Sequence, residues 1–150
     1  MKITYRVVQA YVDEKDNLIV IPTGESKKFG RAIMGLDIIN QLNMPYSDEE
    51  LENTLKSAFS QCFTNEPDDT TNISSLEKFL KIKGYAKAVK NRRLVVCKWD
   101  CDDGYIITPT KKVPKEGFVH MKDNKIVLGK ELKDGELSKA FKEAMKLSST

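Results

Sequence analysis

Apolar positions recur at three- and four-residue intervals over residues 44–63, the clearest helix signal in the chain. Leu51, Leu55, Ala58, Phe59 and Cys62 make one stripe fit for a core. Ser47 is placed as an N-cap, and Glu50, three residues on, can return the hydrogen bond. Asp48, Glu49 and Glu50 set negative charge against the positive end of the helix dipole. A second capping box, Ser74 with Glu77, opens a short helix over Leu76, Phe79 and Leu80 that ends by Gly84, with Phe79 and Leu80 on its buried side. A closing helix starting at Asp134 or Ser138 carries Leu137, Ala140, Phe141, Ala144 and Met145 on one face. A weaker helical period, Phe29, Ala32, Ile33, Leu36 and Ile39, covers residues 28–40, although Gly30 and Gly35 each cost about 1 kcal/mol relative to Ala.

Elsewhere the pattern is that of strands. Residues 2–12, rich in Tyr, Val, Ile and Thr, and residues 18–21 flank the polar turn Asp13-Glu14-Lys15-Asp16-Asn17, which predicts an antiparallel hairpin stopped by Pro22, with residues 22–26 a loop. Strands are expected again over residues 85–89, 94–99, 105–108, 118–121 and 126–128, joined by turn-forming residues that include Pro109 to Gly117. Strands in a hairpin and a later meander, with helices between and after them, indicate α+β: mainly antiparallel sheet with helices packed against it. At 150 residues, one domain over 1–150 is the economical reading. No internal sequence repeat stands out.

An apolar content of 40% beside 31% charged residues is that of an ordinary globular chain. No apolar run nears the roughly 20 residues that span a bilayer, and the first residues lack a signal-peptide block. A cytoplasmic location follows as the expectation, with no membrane partner. Cys62, Cys97 and Cys101 lack paired spacing, so reduced and mostly buried thiols are expected rather than zinc. The net charge of +3 hides an asymmetry: residues 1–75 hold 7 basic and 12 acidic side chains, residues 76–150 hold 18 and 10. Such a split suits a charged partner surface, or two halves of one domain that attract each other.

Candidate chemistry is sparse. His120 is the single histidine, with no orienting carboxylate evident beside it. No P-loop, GxGxxG or GxSxG occurs. Asp100, Asp102 and Asp103 could hold a cation, but no glutamate closes a calcium loop after Gly104, and a charged hairpin turn is the simpler reading. The basic run Lys78, Lys81, Lys83, Lys87, Lys90, Arg92 and Arg93, interleaved with Phe79 and Tyr85, is the best nucleic-acid signal and supports the alternative of a small nucleic-acid-binding or regulatory domain. Neither catalytic residue nor cofactor nor metal is expected, and the chain does not read as an enzyme.

Ile19 to Thr23 (IVIPT) with Glu25, Ser26 and Gly30, the segment from Pro45 to Phe59, Ser75 to Tyr85, and Tyr105 to Thr110 with Gly117 to Met121 together resemble the contact-dependent growth inhibition (CDI) immunity proteins, CdiI type. The resemblance implies a bacterial cytoplasmic antitoxin of α+β fold that binds and neutralises the C-terminal toxin domain of a secreted effector, commonly a ribonuclease or other nuclease, without direct contact to nucleic acid. It carries over no catalytic or contact residues. A nuclease presents a basic, phosphate-binding cleft, so an inhibitor gains on-rate and specificity from opposing carboxylates. Glu66, Asp68 and Asp69, or Asp100, Asp102 and Asp103, are the expected partner-binding surface, with Trp99 or Tyr105 as aromatic anchor.

Overall fold

The computed structural model describes residues 2–150. Four central strands are apolar on both faces, and helices cover the two sides. β1 (Tyr5–Val12) pairs with β2 (Leu18–Ser26) and with β5 (Arg93–Asp100), and β5 pairs with β6 (Gly104–Val113), all antiparallel. Short strands finish both sides: β3 (Ala32–Gly35) and β4 (Asn40–Leu42) on β2, and β7 (Gly117–His120) and β8 (Ile126–Gly129) on β6. One face buries Val8, Ala10, Leu18, Val20, Val95 and Ile107 against α1 (Asp48–Gln61) and α4 (Glu136–Leu147). The other buries Tyr11, Ile19, Ile21, Leu94 and Val96 against α2 (Ser75–Leu80) and the single turn α3 (Tyr85–Ala88). The α+β, mainly antiparallel expectation holds.

Both expected capping boxes form, Ser47 with Glu50 and Ser74 with Glu77. The α1 stripe is buried in full, from Leu51 to Cys62, as is the expected face of α4. Remote side chains complete these two helices. α1 has no basic residue in its last turn, and Arg6 of β1 donates to the Phe59 carbonyl at 2.8 Å. Arg93 of β5 does the same for Met145 in α4, also at 2.8 Å. A guanidinium there meets the negative end of the helix dipole. At its other end α4 begins after Gly135, which offers no capping side chain. The buried Glu52 of α1 substitutes: its carboxylate accepts from the Gly135 and Ser138 amides, each at 3.2 Å.

Five local expectations are overturned. Residues 22–26 continue β2 rather than loop, and β6 runs through Pro109 to Val113. Each proline sits where its strand changes outer partner. β2 pairs with β4 through Leu18–Val20 and with β3 from Thr23, while β6 pairs with β8 through Ile107 and with β7 from Thr110. The missing N–H costs nothing at a point where no ladder bond is due. The two joints match further. The Pro22 carbonyl accepts from Leu36 and the Pro109 carbonyl from Met121, both at 2.9 Å. The next residue, a buried threonine each time, donates its hydroxyl to the inner strand: Thr23 to Val7 at 2.7 Å, Thr110 to Leu94 at 2.6 Å.

Residues 28–40 are β3 and β4 instead of a helix, because Gly30 and Arg31 turn the chain back at φ 65° and 67°. Gly35 lies close over β2: a Cβ there would stand 3.1 Å from Ile21 Cγ2. Residues 85–89 make the turn α3 rather than a strand, set off by Gly84 at φ 104° and held by a 2.8 Å bond between the Tyr11 and Tyr85 hydroxyls. Phe79, expected inside, is exposed.

Glu52→Gln is expected to lower stability by about 1–3 kcal/mol, since it leaves a buried amide facing a donor. The exposed Glu49→Gln should stay within about 0.5 kcal/mol of the parent. Thr110→Val, which keeps the shape and removes the hydroxyl, should cost about 1–2 kcal/mol. Urea denaturation midpoints measure all three.

Candidate partner-binding surface

The carboxylates singled out in the sequence gather toward one end of the sheet. Asp100 pairs with Tyr5 at the start of β1, and the Tyr5 ring packs edge-on against Phe63, 5.5 Å away, just before the loop that carries Glu66, Asp68 and Asp69. Most of these carboxylates also serve the fold. Asp69 accepts from the Ser26 hydroxyl at 2.7 Å and the Lys28 amide at 3.3 Å, tying the loop to the β2–β3 hairpin. Asp68 accepts from Thr70 and meets Lys78 at 3.0 Å, and Lys78 also reaches Asp37 at 3.0 Å. Glu66 pairs with Lys27 at 2.6 Å in full exposure. The bonds from Thr70 and Lys78 pull the Asp68 carboxyl from 3.8 down to about 2. Those from Ser26 and Lys28 lower Asp69 in the same direction.

Asp100 builds the β5–β6 turn, accepting from the amides of Asp103 at 2.6 Å and Asp102 at 2.9 Å, and these bonds lower its pKa. The Asp102 and Asp103 side chains stand exposed at the tip. Trp99 and Tyr105 form the cross-strand pair beneath it. Both are half-buried against the helix-covered core, with Tyr105 edge-on to Phe59 at 5.3 Å. The turn therefore presents two unengaged carboxylates above a fixed aromatic base.

The basic run divides. Lys78 is held by two aspartates, Arg92 donates to the Ala88 carbonyl, and Arg93 binds Met145 and Asp16. Lys81, Lys83, Lys87 and Lys90 remain exposed. His120 ends β7 facing solvent, Cys62 and Cys97 are buried, and Cys101 is exposed. Burial raises the Cys97 thiol far above its usual range. Among the described residues, no three His, Cys, Asp or Glu side chains converge as a metal site, and no helix is long and apolar enough to cross a membrane. Sequence reasoning missed the exposed apolar residues Phe29, Ile33, Ile73 and Ile82. Phe29 and Ile33 fit a helical period in the sequence, and only Gly30 between them argues against it. A cleft of about 250 Å³ opens between the β2–β3 hairpin and α2, with Asp37, Asp68 and Lys78 on its rim.

No protein-family model and no curated protein matches this sequence. Solved structures do match its fold. A protein of unknown function from Neisseria meningitidis superimposes with a TM-score of 0.73 over 99% of both chains, at 15% identity. A chain of a CdiA-CT/CdiI toxin and immunity complex from Yersinia pseudotuberculosis gives a TM-score of 0.70, covering 97% of this chain and 98% of that one, at 12% identity. The likeness is one of fold.

The Asp68 titration gives a check on the loop. Its folded pKa is depressed, so the stabilisation it brings is present above pH 3.8 and is lost as the pH falls through about 2. Lys78→Met should move the Asp68 midpoint upward toward 3.8, read from its carboxyl carbon shift by NMR. An unmoved midpoint would show that Lys78 does not hold that carboxylate.

Proposed function

We propose that this chain acts as a single-domain immunity protein of the CdiI type. In this reading it binds the C-terminal toxin domain of a contact-dependent growth inhibition effector in the bacterial cytoplasm and neutralises it. The observation that carries this reading is the likeness of fold, over nearly the whole of both chains, to a chain of a toxin and immunity complex. The chemistry of its side chains agrees with a protein that covers its partner rather than transforming a substrate. Its buried cysteines are packing groups, its histidine faces solvent, and several of its charged side chains tie parts of the fold together.

A nuclease is the toxin class that the acidic end of the sheet suits best. Asp102 and Asp103 at the β5–β6 tip, with Glu66 nearby on the loop after α1, would face the basic cleft that holds phosphates. Trp99 and Tyr105 lie under that tip as rigid apolar support. Asp68, Asp69 and Asp100 act chiefly by shaping the loop and the turn that present the others.

Asp102→Lys with Asp103→Lys should weaken binding to the toxin domain encoded beside this protein by about tenfold or more, mostly through a slower on-rate that flattens in high salt. Surface plasmon resonance reads both rates. Binding unchanged in this variant and in Glu66→Lys would remove the acidic-end proposal. The rival reading, RNA binding through the exposed lysines, predicts an affinity for generic RNA that falls steeply with salt. The immunity reading predicts little RNA affinity at any salt.

A further inference from the structure

On the face of the sheet away from α1 and α4, a second groove of about 470 Å³ runs between α3 and the β6–β7 turn. Tyr85, Val89, Val113, Pro114 and Phe118 give it an apolar lining. Lys112 lies half-buried in it, its ammonium donating to the Val89 carbonyl at 2.5 Å and standing 5.1 Å from the centre of the Phe118 ring. Among the described residues neither Lys112 nor the exposed Lys115 of the same lining forms an ion pair, whereas Lys27, Lys56, Lys78, Lys98 and Lys142 do. Glu116, the acidic residue of the same turn, is not part of the lining. Burial lowers the Lys112 pKa, the cost of holding a cation in apolar surroundings without a counter-charge.

We propose that this groove docks an acidic segment of a protein partner, with an apolar side chain seated between Tyr85 and Phe118 and a carboxylate on Lys112. Charge complementarity selects the occupant: an apolar floor carrying two lysines without carboxylate partners matches carboxylates beside a hydrophobic anchor. Single-stranded RNA fits less well. Its bases need free aromatic faces, yet one face of Phe118 carries the Lys112 ammonium. The site is separate from the acidic end assigned above and does not rest on the toxin reading.

The test uses fluorescence anisotropy on the full chain with a short labelled peptide of Asp and Glu around a central Leu-Phe pair. Its comparison probes are the same peptide with Gly-Gly at the centre, a Lys/Arg counterpart and oligo-uridine. The acidic Leu-Phe peptide should bind in preference to all three. Lys112→Met should weaken it by about tenfold, and Lys115→Glu, exposed at the edge of the groove, should also weaken it even if the Lys112 variant folds poorly. Equal binding of the Gly-Gly peptide, tighter binding of oligo-uridine, no peptide binding, or indifference to Lys115→Glu would each overturn the proposal. So would a concentration-dependent dimer, seen by light scattering, that closes the groove. Loss of toxin binding with peptide binding intact would count against the immunity reading alone, and the reverse against the groove alone.

Discussion

A proline in a strand can offer no N–H to a neighbour, and the shape of this sheet follows from where that constraint falls. Pro22 and Pro109 stand in the two strands that flank the central pair, at the point where each exchanges one short outer partner for another. Thr23 and Thr110 then turn their hydroxyls to the inner strands. The sheet is thereby held together across a break in its ladder. Each outer margin divides in two, which sets the β2–β3 hairpin beside one cleft and the β6–β7 turn beside the other.

What could be read from the sequence was what local chemistry decides. α1, α2 and α4 announce themselves through capping boxes and apolar stripes, signals contained within one or two turns of chain. β3 and β4 did not, because an apolar period over residues 28–40 is shared by a helix and by two short strands. The choice fell to Gly30, Arg31 and pairing with β2, which lies several residues upstream. Pro22 and Pro109 misled for a related reason: proline argues against a ladder bond, and only the tertiary fold shows that none was needed. The duplicated Pro-Thr pair was visible in the sequence, but its meaning depends on strands far apart along the chain.

The surface divides charge in a way the composition only hinted at. The carboxylates of the β5–β6 turn and of the loop after α1 lie toward one end of the sheet, while Lys112 and Lys115 line the groove beside α3 and the β6–β7 turn. Several members of the apparent basic run prove to be ties within the fold: Lys78 joins two aspartates, and Arg93 closes the end of α4. A count of charges along the sequence cannot separate these from the residues left facing solvent. That separation decides which face can meet which partner.

Glu52 makes one helix depend on another. Its carboxylate sits in α1, yet both of its amide donors lie more than eighty positions downstream. Within α1 that carboxylate has only the Lys56 ammonium, 3.6 Å away. The first turn of α4 has its amides satisfied only with α1 beside it, so the two helices stand or fall together although they lie far apart in the sequence.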